Sequence, residues 1–211
     1  MLPFTSDVLF SSFETYNRAL WPLPILAVAV ALAMILLTLR PIRGGDRAIG
    51  ALVALAWLWI GVGYHFLHFA AIDFAAPVYG AFFVLQGLLF GWSALIHRLA
   101  FRFGADLFGW AGLALTIAAA LAWPLADSLG HGWQSARVAG LAPGPTAAFT
   151  LGLLLTAGRA PLHLAIVPIL WTLVAGATAW VLTIPQDLAL PVAGVGAFAL
   201  ILGKNRRQTR A

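Results

Sequence analysis

The chain contains 211 residues, of which 62% are hydrophobic and only 9% are charged, whereas an average soluble domain is about 25% charged. Because so few polar side chains are available to cover a soluble surface, a soluble enzyme, a disordered chain and a nucleic-acid-binding domain are excluded despite the net charge of +5. The absence of cysteine also excludes disulfide bonds, thiolate metal sites and cysteine nucleophiles.

The first segment, residues 1–20, is predicted to form an amphipathic helix that lies on the outer surface of the membrane. Its apolar side chains recur at spacings of four, three and four residues: Leu9, Phe13, Tyr16 and Leu20. Polar and charged residues occupy the opposite face, and Thr5 or Ser6 is placed to cap the helix. The alternative is a loosely ordered N-terminal arm.

Seven long uncharged runs follow, and a helix needs about 20 such residues to cross the hydrocarbon core. The runs cover residues 21–39, 48–70, 76–96, 107–126, 138–158, 161–184 and 187–203. The sequence therefore predicts an all-α polytopic membrane protein, with a single bundle of seven transmembrane helices over 21–203. Residues 204–211 form a basic tail.

The basic residues predict the orientation of this bundle. Ten of the twelve lie on the C-terminal side of spans one, three, five and seven: Arg40, Arg43, Arg47, Arg98, Arg102, Arg159, Lys204, Arg206, Arg207 and Arg210. Only Arg18 and Arg137 lie on the other side. Because positive charge accumulates in cytoplasmic loops, the N-terminus is expected outside and the C-terminus in the cytoplasm.

Span two ends with two histidines that are candidates for a functional site. His65 and His68 are three residues apart and would share one face of an α-helix. Such a pair can ligate a metal, hold a haem iron or relay protons. It can equally be a pair of interfacial aromatic groups with a purely structural role. Tyr64, which precedes His65, is included in the predicted site.

Two further polar residues follow in and before span three. Asp73 lies in the short outer loop, where it can serve as another metal ligand or simply cap the next helix. Gln86 lies about ten residues into the span, near the middle of the bilayer, where a primary amide needs partners inside the bundle. We therefore expect Gln86 to face the interior.

The longest outer loop and the fifth span contribute the last candidates. His131 lies in this loop, where it can close over the span-two histidines or remain a solvated side chain. In span five the two prolines of 143–145 predict that the helix begins only at Thr146. A broken helix of this kind marks the substrate site in many transporters, and Thr146 would then face the ligand. The alternative is a short span beneath a protein-covered outer surface.

Several short motifs together resemble a bacterial family of multi-pass membrane proteins that is catalogued only as a domain of unknown function. They are Tyr64-His65, Phe69, Ile72-Asp73, Leu85-Gln86-Gly87, Gly130-His131, Pro143-Gly144-Pro145-Thr146 and Pro185-Gln186-Asp187-Leu188. The chain departs from the family pattern at Asp73, where asparagine is expected, and at Gly144, where cysteine is expected. The resemblance implies a membrane protein and gives weight to the outer-face residues, but it implies no activity.

The sequence leaves two classes of function open, beside an accessory subunit without chemistry of its own. The first is a small-solute or ion permease whose site includes Tyr64, His65, Gln86 and Thr146. The second is a metal- or haem-binding membrane subunit or redox enzyme whose ligands are His65, His68 and His131, with Asp73 as a further candidate. The expected partners are the lipid bilayer and a small polar solute or ion, the expected location is the bacterial inner membrane, and a homo-oligomer is left open.

Overall fold

The computed structural model describes residues 2–96 and 99–210, with side chains described as far as residue 207. Arg98 and Ala211 thus lie outside the described residues. Within these ranges the chain is helical, and its helices are Ser6–Ala19 (α1), Leu23–Leu39 (α2), Gly45–Trp59 (α3), Ala76–Leu95 (α4), Leu107–Ile117 (α5), Trp123–His131 (α6), Pro143–Thr156 (α7), His163–Leu182 (α8) and Ala189–Arg210 (α9). A π-helix over Ile60–Phe66 prolongs α3, and another over Ala118–Ala122 joins α5 to α6.

Five helical segments of the described chain are long and apolar enough to cross a membrane. They are Gly45–Ala71, Ala76–Leu95, Leu107–His131, His163–Leu182 and Pro185–Arg207. The other two predicted spans correspond to α2, with 17 residues, and α7, with 14 residues. Helices α1 and α2 pass the same test only when they are taken together, and they are bent by 90° relative to each other. If this bent pair is one span, the number of candidate spans is six.

The loops between these helices gather at two ends of the bundle. At one end, here called the α1 end, Arg137 pairs with both Asp127 and Asp187, so that the loops after α6 and α8 meet. At the other, here called the basic end, the N–H of Phe103 donates to the carbonyl oxygen of Thr38 at 3.0 Å. Successive helical segments therefore run back and forth between the two ends.

Helix α7 occupies the centre of the bundle. Every residue from Pro143 to Thr156 is buried, apart from the half-buried Gly144. The helix packs among α5, α8 and α9. A Cβ added at Gly152 would lie 2.8 Å from the carbonyl oxygen of Gly112 on α5, so only glycine permits this approach. The helix is covered by protein on all sides, which is how so short a segment is accommodated.

The predicted start of this helix at Thr146 is wrong by three residues. The helix begins at Pro143, and both Pro143 and Pro145 lie in its first turn. Proline is tolerated there because the first N–H groups of a helix have no intrahelical acceptor, and its fixed φ suits the helical backbone. The prolines therefore start the helix instead of interrupting it.

Helix α1 has the predicted extent but a different neighbour for its apolar face. Thr5 caps it, with its Oγ1 accepting from the N–H of Val8 at 3.4 Å. Phe10, Phe13 and Tyr16 are buried against the ends of the bundle helices and the loop after α6, so this face contacts protein where contact with lipid was expected. Leu20, the last residue of the predicted stripe, is only half-buried.

Candidate functional site

His65 is the centre of the candidate site. It lies in the π-helix that ends α3, and 0% of its surface is exposed. Neither ring nitrogen has a hydrogen-bond partner among the described residues. Because a buried polar group without a partner costs about 1–3 kcal/mol, and because buried polar groups are nearly always satisfied, these two nitrogens make His65 the first candidate for a binding residue.

Five aromatic rings surround the imidazole of His65. Their centroids lie 4.8 to 6.1 Å from that of the imidazole, and they belong to Tyr64, Phe69, Tyr79, Phe83 and Trp171. The indole nitrogen of Trp171 is likewise buried and without a partner in the described residues. The imidazole is therefore held in place by rings that make no hydrogen bond to it.

A cavity of about 80 Å³, here called the His65 cavity, opens beside this cluster at the α1 end. Its polar lining includes Tyr64, His65, Asp73, Tyr79, Arg137 and Trp171. The N-terminal segment covers it with the side chains of Phe4, Leu9 and Phe13. The N-terminal segment thus forms one wall of the cavity.

Arg137 enters the cavity wall from the loop before α7 and is bound by two buried carboxylates. Its guanidinium donates to Asp127 at 2.7 and 2.8 Å and to Asp187 at 3.0 Å, with a further bond to Asp187. The backbone N–H of Arg137 also donates to Asp127, and Trp123 donates to Asp187 at 3.2 Å. The network ties the loops after α6 and α8 to the start of α7.

The charge of Arg137 is maintained by these partners. Burial alone would lower the pKa of the guanidinium, but the hydrogen bonds and negative charges of Asp127 and Asp187 raise it above its usual value. Arg137 therefore stays protonated at every practical pH. Four of its five N–H donors are already used by the two carboxylates.

Asp73 lies in the turn before α4 and also faces the His65 cavity. Its Oδ1 accepts from the N–H of Ala75 at 2.9 Å within this turn, but the N-cap of α4 is Ala75 and no side chain caps the helix, so the predicted helix-capping role of Asp73 is wrong. The side chain is buried, with 6% of its surface exposed, and it forms no salt bridge with any described residue. Asp73 thus presents a negative charge near the cavity.

His68 does not share the environment of His65. Its Nε2 lies 2.9 Å from Oγ and 3.0 Å from the carbonyl oxygen of Ser12 on α1. The sequence argument assumed an α-helix, in which residues three apart share a face. The wider π-helix, which ends at Phe66, changes that register.

His131 is also absent from the lining of the His65 cavity. It ends α6 and stacks on Phe10 of α1 with a centroid distance of 3.5 Å. Across residues 2–96 and 99–210, no group of three or more histidine, aspartate or glutamate side chains is placed to hold a metal ion. The four residues named as candidate ligands are therefore not brought together as one set.

Gln86 is buried inside the bundle, as expected, but it does not line the His65 cavity. Its Nε2 donates to the carbonyl oxygen of Leu164 on α8 at 2.7 Å. This carbonyl is four residues before Pro168, which has no N–H to offer it. Gln86 therefore replaces a missing bond of α8, while its Oε1 has no partner among the described residues.

Thr146 has a local structural role at the start of α7. Its Oγ1 donates to the carbonyl oxygen of Ala142 at 2.6 Å and accepts from the N–H of Gly140 at 2.8 Å. Both capacities of the hydroxyl are used within the loop that leads into the helix. Thr146 is absent from the lining of the His65 cavity.

The residues of the site that were not identified from the sequence include Tyr79, Arg137 and Trp171. One signal was present for Arg137, because it is one of only two basic residues on the predicted outer side, where Asp127 and Asp187 also lie. Tyr79 and Trp171 carry no such signal. Tyr79 lies in the first turn of α4, where an aromatic residue is the ordinary pattern of a membrane helix, and Trp171 lies near the middle of α8 within an apolar run.

The fold is consistent with a membrane protein: the described chain is helical, five of its helices are able to cross a bilayer, and a largely aromatic cavity with several polar residues lies among them. The family of unknown function DUF6064 matches residues 6–211, and the chain belongs to this family. The resemblance seen in the sequence motifs to an uncharacterised family is thereby confirmed. No curated protein and no solved structure matches the chain.

Proposed function

We propose that the protein is a membrane permease for a small polar solute or ion, which binds in the His65 cavity. The observation that carries this proposal is the fully buried imidazole of His65, whose two ring nitrogens have no partner among the described residues while the residue lines a cavity. Intramembrane polar groups of this kind mark substrate or ion pathways in membrane proteins.

The proposal includes seven crossings of a bacterial inner membrane, with the α1 end outside. The alternation of the helices between two ends supports an odd number of crossings from α2 to α9. The ten-to-two division of basic residues supports a cytoplasmic basic end. In this orientation the His65 cavity lies in the outer half of the bundle and receives its ligand from outside.

The size of the cavity limits the ligand. Pockets for drug-sized molecules measure about 300–1,000 Å³, whereas the His65 cavity measures about 80 Å³. A ligand of a few heavy atoms is therefore favoured. The residues present do not favour the haem- or metal-binding alternative, since the cavity is small and its lining includes only one of the three histidines named for that role.

Permeation is tested with purified protein in liposomes that are shocked with urea, sodium formate, potassium chloride or methylammonium chloride. Stopped-flow light scattering follows re-swelling, and protein-free liposomes give the background leak. We expect faster re-swelling with at least one solute, and loss of that increment in His65→Phe, which keeps the aromatic packing but removes both nitrogens.

The matched control is His131→Phe, which keeps the stacking on Phe10 and lies outside the cavity. It should re-swell like the unaltered protein. Both variants are checked for the retention volume and helical content of the unaltered protein. Equal re-swelling of His65→Phe and the unaltered protein, or no protein-dependent re-swelling with any of the solutes, would contradict the proposal.

A further inference from the structure

We infer that the ligand of the His65 cavity is a small cation of the ammonium class, bound between Asp73, the imidazole of His65 and the surrounding ring faces. This inference rests on the proposed ligand-binding role of the cavity and adds the chemistry of the ligand. It is carried by three independent features: the charge of the lining, the unpartnered imidazole and the aromatic rings.

The charged groups around the cavity leave an excess of negative charge. Arg137 is the only positive side chain in its described lining, and it is bound by both Asp127 and Asp187. These three groups together carry one net negative charge. Asp73 adds a second, since it is buried and forms no ion pair with any described residue.

A buried carboxylate without a positive partner is costly, because the desolvation of its charge is not repaid. A cation in the His65 cavity would supply that partner at Asp73. An anion would instead meet two unneutralised negative charges and a guanidinium that has one N–H donor left. The electrostatics of the described lining therefore favour a cation over an anion.

The imidazole and the rings specify the kind of cation. A neutral imidazole has one acceptor nitrogen, and the buried ring of His65 can offer it to an N–H group of the ligand. The rings of Tyr79 and Trp171, which both line the cavity, can attract a cation through their quadrupoles. Hard metal ions bind several oxygen ligands, whereas this lining is chiefly aromatic. The remaining donors on His65 and Trp171 suit the oxygen of a water molecule that accompanies the cation.

The inference is tested by thermal unfolding of the purified protein in detergent with increasing methylammonium chloride. Ionic strength is held constant with N-methylglucamine chloride, whose cation is too large for a cavity of about 80 Å³. A ligand that binds the folded state raises Tm in a saturable manner. We expect such a rise with methylammonium, and none with sodium formate or acetamide, which match it in size but are anionic and neutral.

Two carboxylate variants make the test specific. Asp73→Asn keeps the shape and the oxygen that accepts from Ala75 but removes the charge, and we expect it to weaken the apparent affinity for methylammonium roughly ten- to hundredfold. Asp7→Asn makes the same change in charge at an exposed position of α1 and should leave the affinity unchanged. His65→Phe should weaken the affinity as well. If Asp73→Asn does not fold, Trp171→Leu, which removes a ring face, takes its place.

The outcomes separate this inference from the proposed function. Saturable stabilisation by formate or acetamide that is lost in His65→Phe would overturn the inference of a cationic ligand. The proposal of a permease for another small solute would then remain. Equal affinity of Asp7→Asn and Asp73→Asn for methylammonium would also overturn the inference of a cationic ligand. An absence of stabilisation by all three probes, together with an absence of re-swelling in liposomes, would contradict both the cationic ligand and the proposed permease function.

Discussion

At the scale of single residues, Gln86 and Pro168 form one structural unit across two helices. Pro168 deprives the carbonyl group of Leu164 of its donor within α8, and Gln86 supplies a donor from α4 at 2.7 Å. In a membrane interior no water is available to do so, and freed backbone groups are satisfied by neighbouring helices. A polar residue near mid-span invites a functional interpretation, but the position of Gln86 is explained by the hydrogen bond that it donates to Leu164.

We predict that Gln86→Leu lowers the free energy of unfolding by about 0.6–2 kcal/mol, the range of hydrogen bonds between membrane helices. Pro168→Ala restores an N–H to α8, so the loss caused by Gln86→Leu should become smaller in that background. Reversible unfolding in mixed detergent measures all four proteins of this double-mutant cycle. The same loss in both backgrounds would show that Gln86 does not act through the Leu164 carbonyl.

At the scale of elements, α1 serves as the cover of the bundle. Asn17 holds it in place through two bonds of 2.8 Å from Nδ2 to the carbonyl oxygens of Gln134 and Ala136. Phe13 stacks on Tyr64, next to the His65 cavity, with a centroid distance of 5.0 Å. The cover is thus attached to the same loop that carries Arg137, and its release would expose the cavity.

We predict that Asn17→Leu loosens α1 without unfolding the bundle. The variant leaves two loop carbonyls without their donor, which costs about 1–3 kcal/mol in the local stability of α1. Hydrogen exchange detected by mass spectrometry should therefore be faster in residues 6–19 and unchanged in α7. Ser11→Ala, at an exposed position of the same helix, is the control. Faster exchange throughout α7 would instead mean that α1 and the bundle open together.

At the scale of the whole molecule, the chain has opposite electrostatic characters at its two ends. The α1 end contains Asp127, Arg137 and Asp187 as a buried group with one net negative charge. At the basic end, Lys204 donates to the carbonyl oxygens at the end of α7, and the arginines of the tail follow it. The single arginine of the buried group is bound inside the protein, so it does not weaken the charge asymmetry on which the proposed orientation rests.

We predict that single cysteines at the two ends are labelled from opposite sides of the membrane. The chain has no cysteine of its own, so Ser11→Cys and Arg206→Cys each provide one exposed thiol. A membrane-impermeant maleimide should label Ser11→Cys from outside and Arg206→Cys only after permeabilisation. Labelling of both from the same side would require an even number of crossings and would refute the seven-span proposal.

The sequence by itself determined the all-helical class, the positions of the apolar helices and the existence of α1. These follow from long apolar runs and local periodicity, which depend on neighbouring residues alone. The burial of Gln86 was predictable for the same reason, because an amide in mid-span has no other stable location.

Only the tertiary structure decided which polar residues meet. His65 and His68 separate because α3 becomes a π-helix where Gly61 packs on α4; a Cβ at Gly61 would lie 2.9 Å from the carbonyl oxygen of Gly80. Arg137 enters the site because Asp187, fifty residues later in the chain, lies beside it. Contacts of this kind join residues that are distant in sequence, and their energies depend on burial that no local pattern encodes.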